Sequence, residues 1–319
     1  MDTFVHTYDE KIRPLMDKID QARSLLSSND EGIIFPSIVV VGDQSSGKST
    51  LIESLSLVEL PKGSGIVTRC PLVLRLRKSN IRGSYCLDGN NKTVLDEKNA
   101  NILKYIEEET KNVAGNNRNI VKNSIEIQVD DPSVQDLTVV DLPSIARNPI
   151  DDQRKEDSII LRVSPANVDI GTVESFTIAR EIDPEGERTI GVITKSDLGA
   201  NNDTLIQQLL MDRPDVLHLT LGFIVVRNRS TDENISLEDA RNREKEFFNQ
   251  HHASSVTSHC LGIDALINRL ADLYSDRAKK TFPKMRADVQ NKLKDICEQL
   301  SKFPQIYNRA LLDELNILN

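Results

Sequence analysis

The chain has 319 residues, of which 28 % are charged, and a formal net charge of −9. Its length allows about two domains, and its acidic balance argues against a general nucleic-acid binder. Tryptophan is absent and aromatic residues make up 4 %, so no stacking platform for single strands stands out.

The first predicted element is a helix ending near Ser27. Ile12, Leu15, Met16, Ile19, Ala22 and Leu26 recur at spacings of three and four. The polar run Ser28-Asn29-Asp30-Glu31-Gly32 closes it. Ile38-Val39-Val40-Val41 then reads as a buried strand, and Thr50-Leu51-Ile52-Glu53-Ser54-Leu55 as the first turns of a helix. Between them stands Gly42-Asp43-Gln44-Ser45-Ser46-Gly47-Lys48-Ser49, which satisfies G-x-x-x-x-G-K-[ST] in the strand–loop–helix context that pattern requires. Backbone N–H groups in such a loop converge on an anion, and the helix N-terminus adds partial positive charge. Lys48 is placed to reach the β- and γ-phosphates of a nucleotide, and the Ser49 hydroxyl to ligate Mg²⁺.

Further strands are predicted at 72–76, 125–129, 137–140, 159–163, 189–193 and 223–226, with helices over 101–110 and 172–181 between some of them. Alternating elements of this kind predict an α/β fold with a mostly parallel central sheet flanked by helices. The runs at 72–76 and 125–129 alternate with polar residues and predict a more exposed antiparallel pair. Asn90-Asn91-Lys92 and the run from Ala114 to Asn119 read as exposed loops, and the run from Arg241 to Glu246 as a solvated helix face. A second long helix is predicted to begin after Phe282-Pro283, with Met285, Val289, Leu293, Ile296 and Leu300 on one stripe. A last helix carries Tyr307, Leu311, Leu315 and Leu318. The outlying helices either form one three-helix bundle or pack on the sheet.

The phosphate loop does not choose between ATP and GTP. Thr194-Lys195-Ser196-Asp197, at the end of a predicted strand, favours guanine. An aspartate there accepts hydrogen bonds from N1–H and the exocyclic amine, a donor pair that adenine lacks. The Lys195 stem covers one face of the base. Asp141, after the strand at 137–140, is positioned to hold Mg²⁺ through water, and Thr68 to complete the metal's shell when a γ-phosphate is present. The four cysteines show no paired spacing and His251-His252 are adjacent, so neither a zinc site nor a disulfide framework is expected. Free thiols, no export signal and no apolar run of about 18 residues point to the cytoplasm.

Taken together these residues resemble the dynamin superfamily of large GTPases, and within it the Mx proteins and plant dynamin-related proteins. The resemblance is carried by the loop from Val41 to Ser49, by Leu60 to Leu72 as a first switch, by Pro165-Ala166-Asn167-Val168-Asp169, by Glu181 to Gly191, and by Tyr8 to Pro14. It implies a GTPase domain over 31–282 and a bundle signalling element formed by 1–30 and 283–319, with Pro283 at the hinge. It also implies GTPase-domain dimerisation across the nucleotide face that stimulates GTP hydrolysis, coupled to movement of the bundle. On this reading Gln44 positions water, and Thr68 both positions water and binds Mg²⁺. Ser45, with the carbonyls of Gly63 and Gly65, holds a monovalent cation, K⁺ or Na⁺. Asp169 contacts the partner's nucleotide in trans, and Asn228, Arg229 and Ser230 form the base-side loop. Asp43, Ser46, Gly47, Thr50, Gly63, Ser64 and Leu198 complete the expected GTP or GDP contacts.

The chain departs from the pattern at Ser144, where the family has glycine beside the γ-phosphate, and between Gln153 and Ser158, which is short for a second switch. Those departures keep a second reading open, a GTP-gated dimerisation module with weak or no hydrolysis. Only a short helix follows Pro304, so the family's stalk is expected to belong to a longer parent chain. Membrane or microtubule association would go with that stalk.

Overall fold

The computed structural model describes residues 13, 36–61, 68–88, 91–96, 101–115, 121, 123–143, 158–168, 182–198, 219–230, 233–251 and 258–301. The strands are β1 (Ile38–Gly42), β2 (Leu72–Lys78), β3 (Gly83–Asp88), β4 (Asn91–Asp96), β5 (Ile125–Asp131), β6 (Leu137–Asp141), β7 (Ile159–Pro165), β8 (Thr189–Thr194) and β9 (Phe223–Val225). The helices are α1 (Lys48–Ser56), α2 (Ile102–Ala114), α3 (Leu237–His251) and α4 (Ile263–Ser301). Among the described residues the strands form one sheet in the order β4-β3-β5-β2-β6-β1-β7-β8-β9.

The β-branched runs occupy the middle of the sheet. β6 and β8 are buried at every position, as expected for strands covered on both faces. β6, β1, β7, β8 and β9 run parallel to one another. Their carboxyl ends therefore open on one edge, where ligands of open α/β sheets bind. Helix α1 buries Leu51, Ile52 and Leu55 against this sheet, each stabilising by about 2 kcal/mol.

The alternation at 72–76 and 125–129 does not mark an antiparallel edge pair. β2 and β5 pair in parallel, from Leu72 opposite Ile125 to Lys78 opposite Asp131, and both lie inside the sheet. The antiparallel step is between β2 and β6, with Leu72 opposite Asp141. Alternation reports a polar face, here carrying the Arg75–Glu126 ion pair, and carries no information on strand direction. Beyond β5 lies the hairpin of β3 and β4. Asn91 begins β4 rather than sitting in a loop, and the Lys92 ammonium lies 3.8 Å from the Tyr85 ring centre, a cation–π contact. Ala114 ends α2 and is buried.

Helix α4 begins at Ile263, not after Pro283, and runs through that proline to Ser301. Pro283 removes one helical hydrogen bond, but it is exposed, so the carbonyl it leaves behind can be hydrated and the helix continues. The division at 282/283 thus falls within one helix. Its first half is core: Leu266, Leu270, Tyr274 and Ala278 are buried, and burial extends past the proline to Met285. The Tyr274 hydroxyl is within 3.1 Å of the Pro36 carbonyl and 3.0 Å of Thr138 Oγ1. In the second half Leu293, Ile296 and Leu300 are exposed. The predicted helices within 1–30, 172–181 and 302–319 lie outside the described residues, apart from Arg13, whose guanidinium donates to the Lys78 carbonyl.

Candidate functional site

The phosphate loop leaves β1 at Gly42, which sits opposite Val163 of β7. A Cβ at Gly42 would stand 2.7 Å from the Val163 carbonyl oxygen and 2.8 Å from Ser46 Oγ, so only glycine allows this approach. Gly47 has φ +95°, a left-handed conformation, and a Cβ there would meet Thr194 Oγ1 at 3.1 Å. Gly47 caps α1 with no side-chain hydrogen bond to the first turn. The first N–H groups of the helix therefore keep their capacity for an anion.

Lys48 Nζ donates to the carbonyls of Gly42, at 2.7 Å, and Asp43, at 3.0 Å. Burial lowers its pKa, while the carboxylates of Asp141 and Asp43 act in the opposite direction. Asp141, the last residue of β6, is 3 % exposed. Burial raises its pKa to about 6, opposed by Lys48 and by the hydroxyl of Thr68. That hydroxyl donates to Asp141 Oδ2 at 3.2 Å. The antiparallel entry of β2 makes this contact: because Leu72 pairs with Asp141, the residues just before β2 arrive at the carboxyl end of β6.

Among the described residues, Asp141 Oδ1 and Ser46 Oγ are buried without a partner. Ser49, Thr68 and Asp141 line one shared recess. One carboxylate and two hydroxyls, with an unsatisfied buried oxygen among them, match a hard cation that also binds substrate phosphates. These residues fit Mg²⁺. Of the set expected for a monovalent cation only Ser45 is described; it is exposed and has φ 61°.

At the end expected to take the base, Thr194 Oγ1 donates to the Ser46 carbonyl at 2.6 Å, and Lys195 Nζ donates to the Ser45 carbonyl at 2.9 Å. Both contacts tie the loop after β8 to the phosphate loop. Lys195 has φ 54°, and Ser196–Leu198 form one 3₁₀ turn. Asp197 is one-third exposed, with Oδ2 3.5 Å from Arg227 Nε. Leu198 is exposed. Asn228 Oδ1 accepts from Ser54 Oγ at 3.1 Å. The Arg229 guanidinium lies 3.4 Å from Glu53 and 3.0 Å from Glu59, so its charge is directed at α1 and the turn after it. The Ser230 N–H donates to Glu233 at 3.0 Å. Thr50 Oγ1 donates to the Gly47 carbonyl at 3.0 Å, and Gln44 is exposed on the loop. Gly63, Ser64, Gly65, Ser144 and Asp169 lie outside the described residues.

Two comparisons bear on this geometry. Residues 38–196 match the Dynamin family and residues 210–318 the Dynamin central region. The chain belongs to the dynamin family. It is 36 % identical over 334 residues to the interferon-induced GTP-binding protein Mx of Dicentrarchus labrax, covering 95 % of this chain and 50 % of that one. It is 36 % identical over 324 residues to Mx1 of Oncorhynchus mykiss, covering 93 % and 51 %. It is 36 % identical over 321 residues to dynamin-related protein 4C of Arabidopsis thaliana, covering 95 % and 46 %. The chain spans about half the length of the curated relatives it matches. Among the described residues no helix is long and apolar enough to cross a membrane.

Reading the residues in isolation missed the charged groups that build the base loop. Arg241 and Glu244 do not lie on a solvated face. Arg241 donates to the Ser54 carbonyl at 2.6 Å, and Glu244 is 3 % exposed. Glu244 accepts the backbone N–H groups of Arg227 at 2.7 Å and Ile263 at 2.8 Å. Burial raises its pKa to about 7, with the two backbone donors opposing. Glu53, in α1, is fully buried and accepts the Leu60 N–H at 2.9 Å. For Glu244 the available signal was its place between Ala240 and Phe248 on one helix face, and it was outweighed by the charged run from Arg241 to Glu246.

Proposed function

We propose that this chain binds GTP with Mg²⁺ and hydrolyses it when two copies meet across the nucleotide face. The observation that carries the proposal is the convergence of Lys48, Thr68 and Asp141 at one end of a sheet edge that presents Asp197 at the other. Relatives named as GTP-binding proteins, sharing 36 % identity with this chain, support the choice of nucleotide.

The N–H groups at the start of α1 and the Lys48 ammonium bind the β- and γ-phosphates. Ser49, Thr68 and Asp141 hold Mg²⁺, which when bound supplies charge neutralisation at the phosphate oxygens. Asp197 accepts from guanine N1–H and its exocyclic amine, and the Lys195 stem covers the base. Gln44 orients the attacking water, Asp169 reaches the partner's nucleotide, and Ser45 with Gly63 and Gly65 holds K⁺ or Na⁺. No side-chain general base is required, since positioning and charge stabilisation dominate phosphoryl transfer. Helix α4, which runs on through Pro283 to Ser301, passes the result toward the segments 1–30 and 302–319. Glu244 supports this route, because one carboxylate holds both the base loop and the first residue of α4.

The test is the GTP turnover per molecule at rising protein concentration, with Mg²⁺ and K⁺ present. A specific rate that climbs with concentration is the expected result. A flat, near-zero rate despite GTP binding overturns stimulated hydrolysis. It favours the gated module, for which Ser144→Gly is the variant to measure.

A further inference from the structure

Asp197 has a geometric problem to solve. Both of its oxygens are needed to meet N1–H and the exocyclic amine together, yet the terminal torsion of an aspartate is broad and does not set the carboxylate plane by itself. Its side chain is one-third exposed, in the short 3₁₀ turn Ser196–Leu198.

Arg227 stands beside it. Strands β8 and β9 pair with Ile193 opposite Val225, and the Val226 N–H donates to the Ile193 carbonyl at 2.8 Å. That register delivers residue 227 to the flank of the Asp197 turn. Arg227 is held at its backbone and at one end of its guanidinium. Its backbone N–H is bound by the buried Glu244 at 2.7 Å. Its Nη2 donates to Glu233 Oε1 at 2.9 Å. Glu233 is itself held by the Ser230 N–H at 3.0 Å and by Arg243 Nη1 at 3.5 Å. From this anchored position Nε meets Asp197 Oδ2 at 3.5 Å. The Arg227 side chain is 15 % exposed, against 33 % for Asp197, and its Nη1 is buried without a partner among the described residues. A planar guanidinium braced on one edge and facing a carboxylate with another is suited to fixing that carboxylate's plane.

We infer that Arg227 is a positioning residue for guanine recognition. It holds Asp197 in the orientation that accepts from N1–H and the exocyclic amine at once, and Glu233 holds Arg227 in turn. The inference rests on the reading of Asp197 as the guanine acceptor.

The test is equilibrium binding of GTP and of inosine triphosphate, which keeps N1–H and lacks the exocyclic amine, to the full chain and its variants. Arg227→Met removes the charge and keeps the stem. It is expected to weaken GTP by about 10-fold and inosine triphosphate by less, so that the ratio of the two affinities shrinks. Arg227→Lys restores a point charge without the fork and is expected to recover only part of the ratio. Glu233→Gln should shift the ratio the same way by a smaller factor, and it serves if Arg227→Met does not fold. An equal loss for both nucleotides, or no loss for either, overturns the inference, because a merely structural role leaves the ratio unchanged. Asp197→Asn separates the two levels. If that variant collapses the ratio while the Arg227 and Glu233 variants do not, only the role of Arg227 falls. If it leaves the ratio untouched, Asp197 is not the acceptor and both readings fall.

Discussion

The two ends of the candidate site solve the same problem differently. At the phosphate end polar groups are left incomplete: Asp141 Oδ1 and Ser46 Oγ are buried without partners, and the Lys48 ammonium turns back onto its own loop's carbonyls. At the other end the charged groups pair with one another, through Asp197, Arg227, Glu233 and Arg243, and through Arg229 with Glu53 and Glu59, although Arg227 Nη1, Arg229 Nε and Asn228 Nδ2 are also buried without partners among the described residues. A phosphate brings charge strong enough to complete the first set. A neutral base brings only a pattern of donors, so its reader must already be aligned. On the proposed reading, affinity is concentrated at one end and discrimination at the other.

Lys48→Ala should break the phosphate end outright. Losing charge-assisted bonds to two phosphates is expected to weaken GTP and GDP by at least about 100-fold. A fluorescent-nucleotide titration checks this, and the preference for guanine among whatever binds should persist. Asp197→Asn acts on the other end. GTP is expected to weaken by about 100-fold, while xanthosine triphosphate gains, because its second carbonyl accepts from the new amide. Equal weakening of both nucleotides would contradict the division of labour.

Gly191→Ala should damage both ends together through the sheet. A Cβ there would lie 2.2 Å from the Phe223 ring, across the pair that joins β8 to β9. The expected cost is about 3 kcal/mol in urea unfolding, with parallel losses in affinity for all nucleotides.

Glu244 gives the smallest effect and a pH signature. Its folded pKa of about 7 lies above the 4.5 of an ordinary glutamate. Between those values the folded protein holds more protons than the unfolded chain, so stability falls as pH rises through that window, by at most about 3 kcal/mol. Glu244→Gln lacks this slope but presents one acceptor to two N–H donors. It should be the less stable protein near pH 5, with the gap closing by about pH 8. Urea unfolding of the two proteins across that range measures the gap, and a constant gap would show that Glu244 is charged throughout.

The phosphate loop, the strand before it, the helix after it and the loop at Thr194 to Asp197 could be read from the chain itself. Each is a local pattern, in which β-branched runs, a left-handed glycine and a cap-free helix start lie within a few residues of one another. The fold class was legible for the same reason, since continuous apolar strands report burial on both faces. Strand direction was not, and the antiparallel entry of β2 is what brings Thr68 to Asp141. Neither was the burial of Arg241 and Glu244, because a charge within a charged run looks solvated until its partners arrive from elements far away in sequence, nor that of Glu53 and Arg227, whose partners Arg229, Glu233 and Asp197 only the fold brings alongside. Pro283 also reads as the start of a separate helix when only its lost hydrogen bond is considered. Exposure on one side of α4 decides that the helix continues, and exposure is a property of the assembled fold.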